Sequence, residues 1–239
     1  VYLARKVLMI QMPQMVALLN GFGGGASALV ALLAIYSSSG LNPFTWFTTG
    51  LAIVVGAVTL SGSLVAAGKL HGVLGQKPVH LPYHNRYVWL SVFILALELL
   101  RLTYSAATPV FSSLVLLIVS LLFGVIFTIR VGGADMPITI SLLNSFSGVA
   151  GAVAGFALYN TLLVTVGAVV GASGLILTQI MCQAMNRSLM QILLGKTTVV
   201  VPQGTKETVK TESASQRAGD RDWALGLKKA ENIVIIPGY

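Results

Sequence analysis

Asn20 and Asn144 each stand seven residues beyond a Met-Pro pair, in the segments MPQMVALLNGFGGGASA and MPITISLLNSFSGVAGA. A carboxamide offers two donors and two acceptor lone pairs, so it relays hydrogen bonds through water without itself taking up a proton. Nearby segments supply hydroxyls: Thr59 and Ser63 in GAVTLSGSL, and Ser173 in GAVVGASGL. Polar groups of this kind lining a hydrated path would carry a proton or a small ion. Asp135 directly precedes Met136-Pro137, where a carboxylate at the mouth of such a path would attract or exchange protons. It also stands where a helix N-cap belongs, with Pro137 in the first turn, where a missing N–H costs nothing. Interhelical hydrogen bonding alone, at about 0.6 kcal/mol per bond, accounts for the amides equally well.

The composition fixes the solvent around these groups. Of the 239 residues 55% are hydrophobic and 9% charged, against about a quarter charged in soluble domains. A helix needs about 20 apolar residues to cross roughly 30 Å of hydrocarbon. Six stretches qualify: Gln14 to Tyr36, Thr45 to Gly68, Tyr87 to Thr108, Val110 to Ile129, Pro137 to Leu158 and Thr161 to Gln183. The expected fold is an all-α membrane protein, a bundle of six transmembrane helices in contact with lipid. Seven residues past its proline, each asparagine lies about 10 Å along its helix.

The fifth stretch places Ser141, Asn144, Ser145, Gly148, Gly151, Ala152 and Gly155 at helical spacing, as one expected stripe. Gly167, Gly171 and Gly174 recur in the sixth. Small residues let helix backbones approach, so these glycines are expected at helix contacts. The paired segments also form an internal repeat, in which Asn20 matches Asn144 and the helix after each echoes the other. Two like-oriented hairpins, the first two and the last two helices, follow, and transporters often carry their pathway at a repeat interface.

The net charge of +8 is spread over short loops, which argues against a nucleic-acid surface, where basic residues gather on one face. With alternating helices, Arg5, Lys6, Lys69, Lys77, Arg86, Arg130, Arg187 and Lys196 fall on one side, cytoplasmic by the positive-inside rule. Glu98 and Arg101 stand one turn apart inside the third stretch, where an ion pair with Arg101 reaching outward is expected and a functional role is the alternative. His71, His80 and His84 share a loop without the spacing of a metal motif. Cys182, the single cysteine, excludes an internal disulfide and reads as a packing residue.

Beyond Lys196 the chain turns polar and holds five of its seven acidic residues. Residues 1–195 are therefore expected to form the membrane domain, 196–230 a cytoplasmic linker, and 231–239, NIVIIPGY with the residue before it, the first strand of an α/β domain that stops short. VYLARKVLMI reads as the exit of an earlier helix, so the chain is expected to be a fragment at both ends.

The segments GGADMPITISLLNSFSG, VGASGLILTQIMCQAMNRS and GAVTLSGSLVAAGKL resemble the membrane domain of the beta subunit of proton-translocating NAD(P) transhydrogenase, and IVIIPGY is similar to the opening of that family's NADP(H)-binding domain. The resemblance implies a bacterial inner-membrane protein, and the basic residues place both ends of this chain on the cytoplasmic side. It also implies NADP on the domain beyond Tyr239, NAD on a partner alpha subunit, a dimer of alpha-beta units, and hydride transfer away from these residues while a proton crosses the membrane. By motif it assigns Asn144 to the proton path, Asp135 and Arg187 to coupling near the cytoplasmic face, and Ser63 and Gly174 to helix positions sensitive to change. Some members carry histidine where this chain has Asn20, so here the titrating group is expected to be water, Asp135 or a residue of the partner. The alternative is a secondary ion-coupled transporter with a substrate site between the two hairpins.

The topology is testable by thiol labelling. Cysteine placed at Ser38 or Asn160 is expected to react with an impermeant reagent from the outside; labelling from the inside alone overturns the orientation.

Overall fold

Hydrocarbon-length apolar runs bounded by proline, asparagine and glycine turns become helices. The computed structural model describes residues 11–37, 42–79, 82–104 and 109–193. Within them α1 is Met12–Ser37, α2 Pro43–Leu70, α3 His84–Tyr104, α4 Pro109–Ile129, α5 Met136–Ala157 and α6 Thr161–Ala184, followed by a short α7, Leu189–Leu193. The six long helices are each long and apolar enough to cross a membrane. No strand occurs among the described residues; the expected linker and strand lie outside them.

Local chemistry sets the ends. Pro43 and Pro137 occupy first turns, and the Asn160 side chain caps α6 by accepting from the Leu163 amide at 3.1 Å. Five helices agree with the sequence to within two residues at each end. The third runs earlier than expected, from His84 instead of Tyr87. Tyr83 adopts a left-handed conformation at φ 59°, and its carbonyl accepts from the Arg86 and Tyr87 amides, so the helix is nucleated one turn sooner.

Helix α2 is the axis of the bundle, packed against α1, α3, α4 and α5, while α5 packs against α1, α2 and α6. Helices α3 and α6 lie at the edge with most of their apolar surface exposed, as lipid-facing helices do. The repeat is visible in the contacts. A methyl group added to Gly56 would run into the Gly24 carbonyl oxygen and Ala28; at Gly167, its counterpart, it would meet the Gly148 oxygen at 2.7 Å and the Ala152 backbone. Gly24 and Gly148, and likewise Ala28 and Ala152, are repeat partners, so the two hairpins close in the same register.

One end of the bundle carries every basic residue of the described stretches except Arg101. Lys69, fully buried in the last turn of α2, donates to the carbonyls of Ile129, of Val131 at 2.8 Å and of Lys77 at 3.5 Å. The C-terminus of α4 leaves such carbonyls unpaired and partly negative, and an ammonium has three donors to give. Around it the Gly133 amide bonds the Gln76 carbonyl at 2.9 Å and the Val79 amide bonds Ile129 at 3.3 Å. Arg130, also buried, donates through Nε to the Leu193 carbonyl. Burial lowers its pKa from the usual arginine value, yet arginine keeps its charge in proteins. Two of the basic residues thus tie helix ends together.

Replacing Lys69 with Met keeps the apolar stem and strips the donors. The expected outcome is a loss of about 1–3 kcal/mol for the carbonyls left unpaired, read as a lower unfolding midpoint of the detergent-solubilised protein; an unchanged midpoint refutes the tie.

Candidate functional site

Three helices meet around Asn20. On α1, Ala17, Asn20, Gly21 and Gly24 are buried at helical spacing. Asn20 Nδ2 donates to the Ile140 carbonyl of α5 at 3.4 Å. A methyl on Gly21 would stand 3.0 Å from Ser63 Cβ, and one on Gly24 would stand 2.7 Å from Thr59 Cβ, so both hydroxyl residues of α2 face the same stretch of α1. Thr59 donates to the Val55 carbonyl of its own helix at 2.7 Å. Ser63 Oγ is buried and has no hydrogen-bond partner among the described residues.

Asn144 lies one turn beyond Ile140 and is half-buried. In the next turn Ser147 meets Gly23, whose added methyl would stand 2.8 Å from Ser147 Oγ. With Asn20 opposite Ile140 and Gly23 opposite Ser147, α1 and α5 run in the same direction and Asn144 falls between the two contacts. Asn20, Asn144, Thr59 and Ser63 therefore border one region. Ser173 does not join them: it is exposed on the outer face of α6 and donates to the Val170 carbonyl at 3.1 Å.

The expected single stripe on α5 resolves into two. Ser145, Gly148, Ala152 and Gly155 face α6, where Ser145 Oγ donates to the Gly171 carbonyl at 2.6 Å and Gly174 lies against the Ser145 backbone. Gly171 meets Val149 and Ser145, and Gly155 meets the Val164 amide. Thr178 of α6 donates to Ser141 Oγ at 3.0 Å. Asn144 and Ser147 lie one residue around, toward α1. A methyl on Gly151 would touch nothing within 4 Å, so among the described residues this glycine is not at a helix contact.

Asp135 occupies the N-cap position of α5, but its side chain makes no capping bond. The residue ends a 3-10 turn, Gly133–Asp135, in which its own amide bonds the Gly132 carbonyl at 3.1 Å. Its backbone at φ −92°, ψ 0° is not the extended conformation from which an aspartate reaches back to the first amides. The carboxylate is left buried, with Oδ1 unpartnered among the described residues. Arg187 lies in the turn after α6, its amide bonded to the Cys182 carbonyl at 2.9 Å, and it rims a surface cavity with Gln183, Asn186 and Gln191. No ion pair joins it to Asp135. Cys182 itself packs in the core beside Met136 and Ile140.

A second cavity, of about 430 Å³, opens between α1 and α2 at the basic end. His71 Nδ1 and Gln14 Oε1 pair across it at 3.2 Å, and its inner wall includes Leu18 and Leu64, which adjoin the Asn20–Ser63 region along their helices. His80 lies outside the described residues. Glu98 and Arg101 form an ion pair at 3.5 Å, with Arg101 47% exposed and Glu98 12%, as the sequence suggested. Lys69 and the buried hydroxyls of α4, Ser120 and Thr128, were not anticipated. In SSLVLLIVSLLFGVIFTI a stripe of Ser113, Ser120, Gly124 and Thr128 at helical spacing was the available signal.

A family model described as NAD(P) transhydrogenase beta subunit matches residues 1–239. Two curated relatives, both named NAD(P) transhydrogenase subunit beta and both from Rhodospirillum rubrum, are each 37% identical over 253 residues, covering 99% of this chain and 52% of the relative. The chain spans about half the length of the curated relatives it matches.

The glycine contacts separate by substitution. Gly148→Ala and Gly167→Ala are each expected to cost about 1–3 kcal/mol through overpacking against backbone. Gly151→Ala is expected to be neutral or to stabilise by up to about 1 kcal/mol, alanine being the better helix former. Unfolding of the three purified variants in mixed micelles checks this, and equal losses in all three refute the two-stripe arrangement.

Proposed function

The chain belongs to the NAD(P) transhydrogenase beta-subunit family, and from that premise we propose that its six helices conduct the proton whose movement is coupled to hydride transfer between NAD(H) and NADP(H). The observation that carries this reading is the pair of buried oxygens, Ser63 Oγ and Asp135 Oδ1, that have no partner among the described residues, in the half of the bundle that holds Asn20. Buried polar atoms are almost always bonded to protein or water. Orphans of this kind mark places that water fills, and a carboxylate beside such water can take up and release a proton.

In this reading Asp135 exchanges protons at the basic end, which faces the cytoplasm of a bacterial inner membrane. Asn20, Asn144 and Ser63 hold and orient water between the helices, and Thr59 keeps the α1–α2 seam polar. Arg187 sits at the same face, where a nucleotide-bearing domain would press on the membrane part. Ser173, on the exposed face of α6, is the least supported member of this set. An alpha subunit, NAD held on it, NADP on the part of the beta subunit beyond this chain, and a dimer of alpha-beta units complete the proposal.

The described residues do not fit a dinucleotide. Most of their helical glycines serve contact between helices, and none forms a strand–turn–helix loop of the kind that receives a pyrophosphate. No hydride step is derived from them. The secondary-transporter alternative needs a polar substrate site between the hairpins. The cavity found there, of about 260 Å³, is lined by Val54, Val55, Val58, Phe146 and other apolar residues, with Ser145, whose hydroxyl donates to the Gly171 carbonyl, as the one polar side chain, which does not favour it.

The test uses the complete complex in sealed vesicles. Asn20→Leu and Asn144→Leu are each expected to lower proton-coupled hydride transfer about tenfold, with insertion near normal because leucine has a similar length and suits hydrocarbon. Asn20→His is expected to retain activity and add a pH dependence near an imidazole's ordinary value of about 6.5, with the protonated form lost as pH rises through it. Asp135→Asn is expected to slow coupled turnover without reducing the inserted amount. Wild-type coupling and an unchanged pH profile in all four variants would remove these residues from the path.

A further inference from the structure

Polar atoms that lack partners are not confined to the Asn20 region. Ser120 Oγ and Thr128 Oγ1 of α4 are fully buried and unpartnered among the described residues, as is Glu98 Oε2 of α3. They follow one line. A methyl on Gly62 of α2 would stand 2.9 Å from Thr128 Oγ1, so Thr128 meets α2 one residue around from Ser63, which faces Gly21 of α1. One turn on, Ser61 Oγ fills the space that Gly124 leaves open; its proton goes to the Ala57 carbonyl at 3.1 Å, which leaves its oxygen free to accept. A further turn along α4 comes Ser120. Beyond it α2, α3 and α4 converge, where Gly50 meets Leu99, Leu102 and Leu116.

Glu98 directly precedes Leu99 of that contact in α3, which sets it slightly nearer the level of Ser120. It lies six residues before the end of α3, and Ser120 eleven residues after the start of α4, so the two differ by only about 8 Å in depth. Side chains on a helix lean toward its N-terminus. On these antiparallel neighbours Glu98 therefore leans toward the level of Ser120, and Ser120 toward that of Glu98. One or two waters bridge such a gap, and polar cavities between helices hold them.

We propose that this hydroxyl seam between α2 and α4 is a branch of the proton path, and that Glu98 is its proton-exchanging group near the end of the bundle opposite Lys69. The inference rests on the proton-conducting reading above and extends it to two helices which that reading leaves unused. A proton passes from seam water to Glu98 Oε2, one O–H bond breaking as the other forms. The neutral carboxyl then gives that proton to water at the half-exposed Arg101, and the next water along the seam restores the one that donated. Among the described residues Arg101 is the only charged side chain paired with Glu98. Helix α4 has no titratable residue, and the only one on α2, Lys69, is at the far end. A purely structural ion pair gives no reason for burying the second carboxylate oxygen without a partner among the described residues.

The experiment uses the complete complex in vesicles with an internal pH dye, following proton uptake driven by hydride transfer, per inserted molecule. Glu98→Gln and Ser120→Val are each expected to lower uptake about tenfold or more, with NADP(H) binding unchanged and Glu98→Asp retaining most of the rate. Infrared difference spectra during turnover are expected to show the carbonyl band of a protonated carboxyl in the wild type and its loss in Glu98→Gln. Wild-type uptake in either Glu98→Gln or Ser120→Val, or a band unchanged by Glu98→Gln, overturns the proposal; if Glu98→Gln fails to insert, Ser120→Val decides alone. A wild-type complex that transfers hydride but moves no proton overturns the functional reading, and this branch with it.

Discussion

Backbone-to-backbone contact between paired helices is the constraint on which this bundle depends. At Gly24 with Gly56, and at Gly148 with Gly167, no side chain separates the two helices, and neither pair has room for a methyl group. Lipid tails are as apolar as leucine, so helices in a membrane gain little from burying apolar surface against each other. Close packing and interhelical hydrogen bonds must hold them. The tight hairpins supply both, through the glycine contacts and through bonds such as Ser145 to the Gly171 carbonyl.

Because those contacts fix the register, they also decide which polar groups are sealed from lipid. In hydrocarbon an unbonded polar group costs several kcal/mol, and many helical hydroxyls among the described residues avoid that by donating to a carbonyl one turn back, as Thr49, Thr59 and Thr103 do. Ser63, Ser120, Thr128 and one oxygen each of Glu98 and Asp135 do not. A bundle able to satisfy its hydroxyls within single helices leaves these few oxygens without partners among the described residues, on α2, its neighbours α3 and α4, and the turn into α5. That selection carries the functional reading more than the amount of polarity does.

The basic end shows one residue serving two physical purposes. Positive charge at a loop biases a helix toward one orientation in the membrane. Once inserted, Lys69 and Arg130 neutralise the partial negative charge at the ends of α4 and α7. The α2–α3 loop and the α4–α5 turn are held by the same bonds. Asp135, at the end of that turn, is thereby seated on a framework cross-linked to three helices.

The sequence by itself determined the solvent, the six spans and the pairing of the hairpins. Hydrocarbon thickness imposes a length on each apolar run, and like residues at like spacing make like contacts, as Gly56 and Gly167 do. Only the tertiary structure decided which way each polar side chain faces. Asn144 and Ser145 adjoin in the chain, yet one lies toward α1 and the other toward α6, because neighbouring positions on a helix are about 100° apart. Ser173 and Gly174 divide in the same way, one outward and one against Ser145. Asp135 lost its expected capping bond to a 3-10 turn that the motif did not reveal. Lys69, read from the sequence as one more topological charge, became a buried tie because the end of α4 arrives beside it from 60 residues further along the chain.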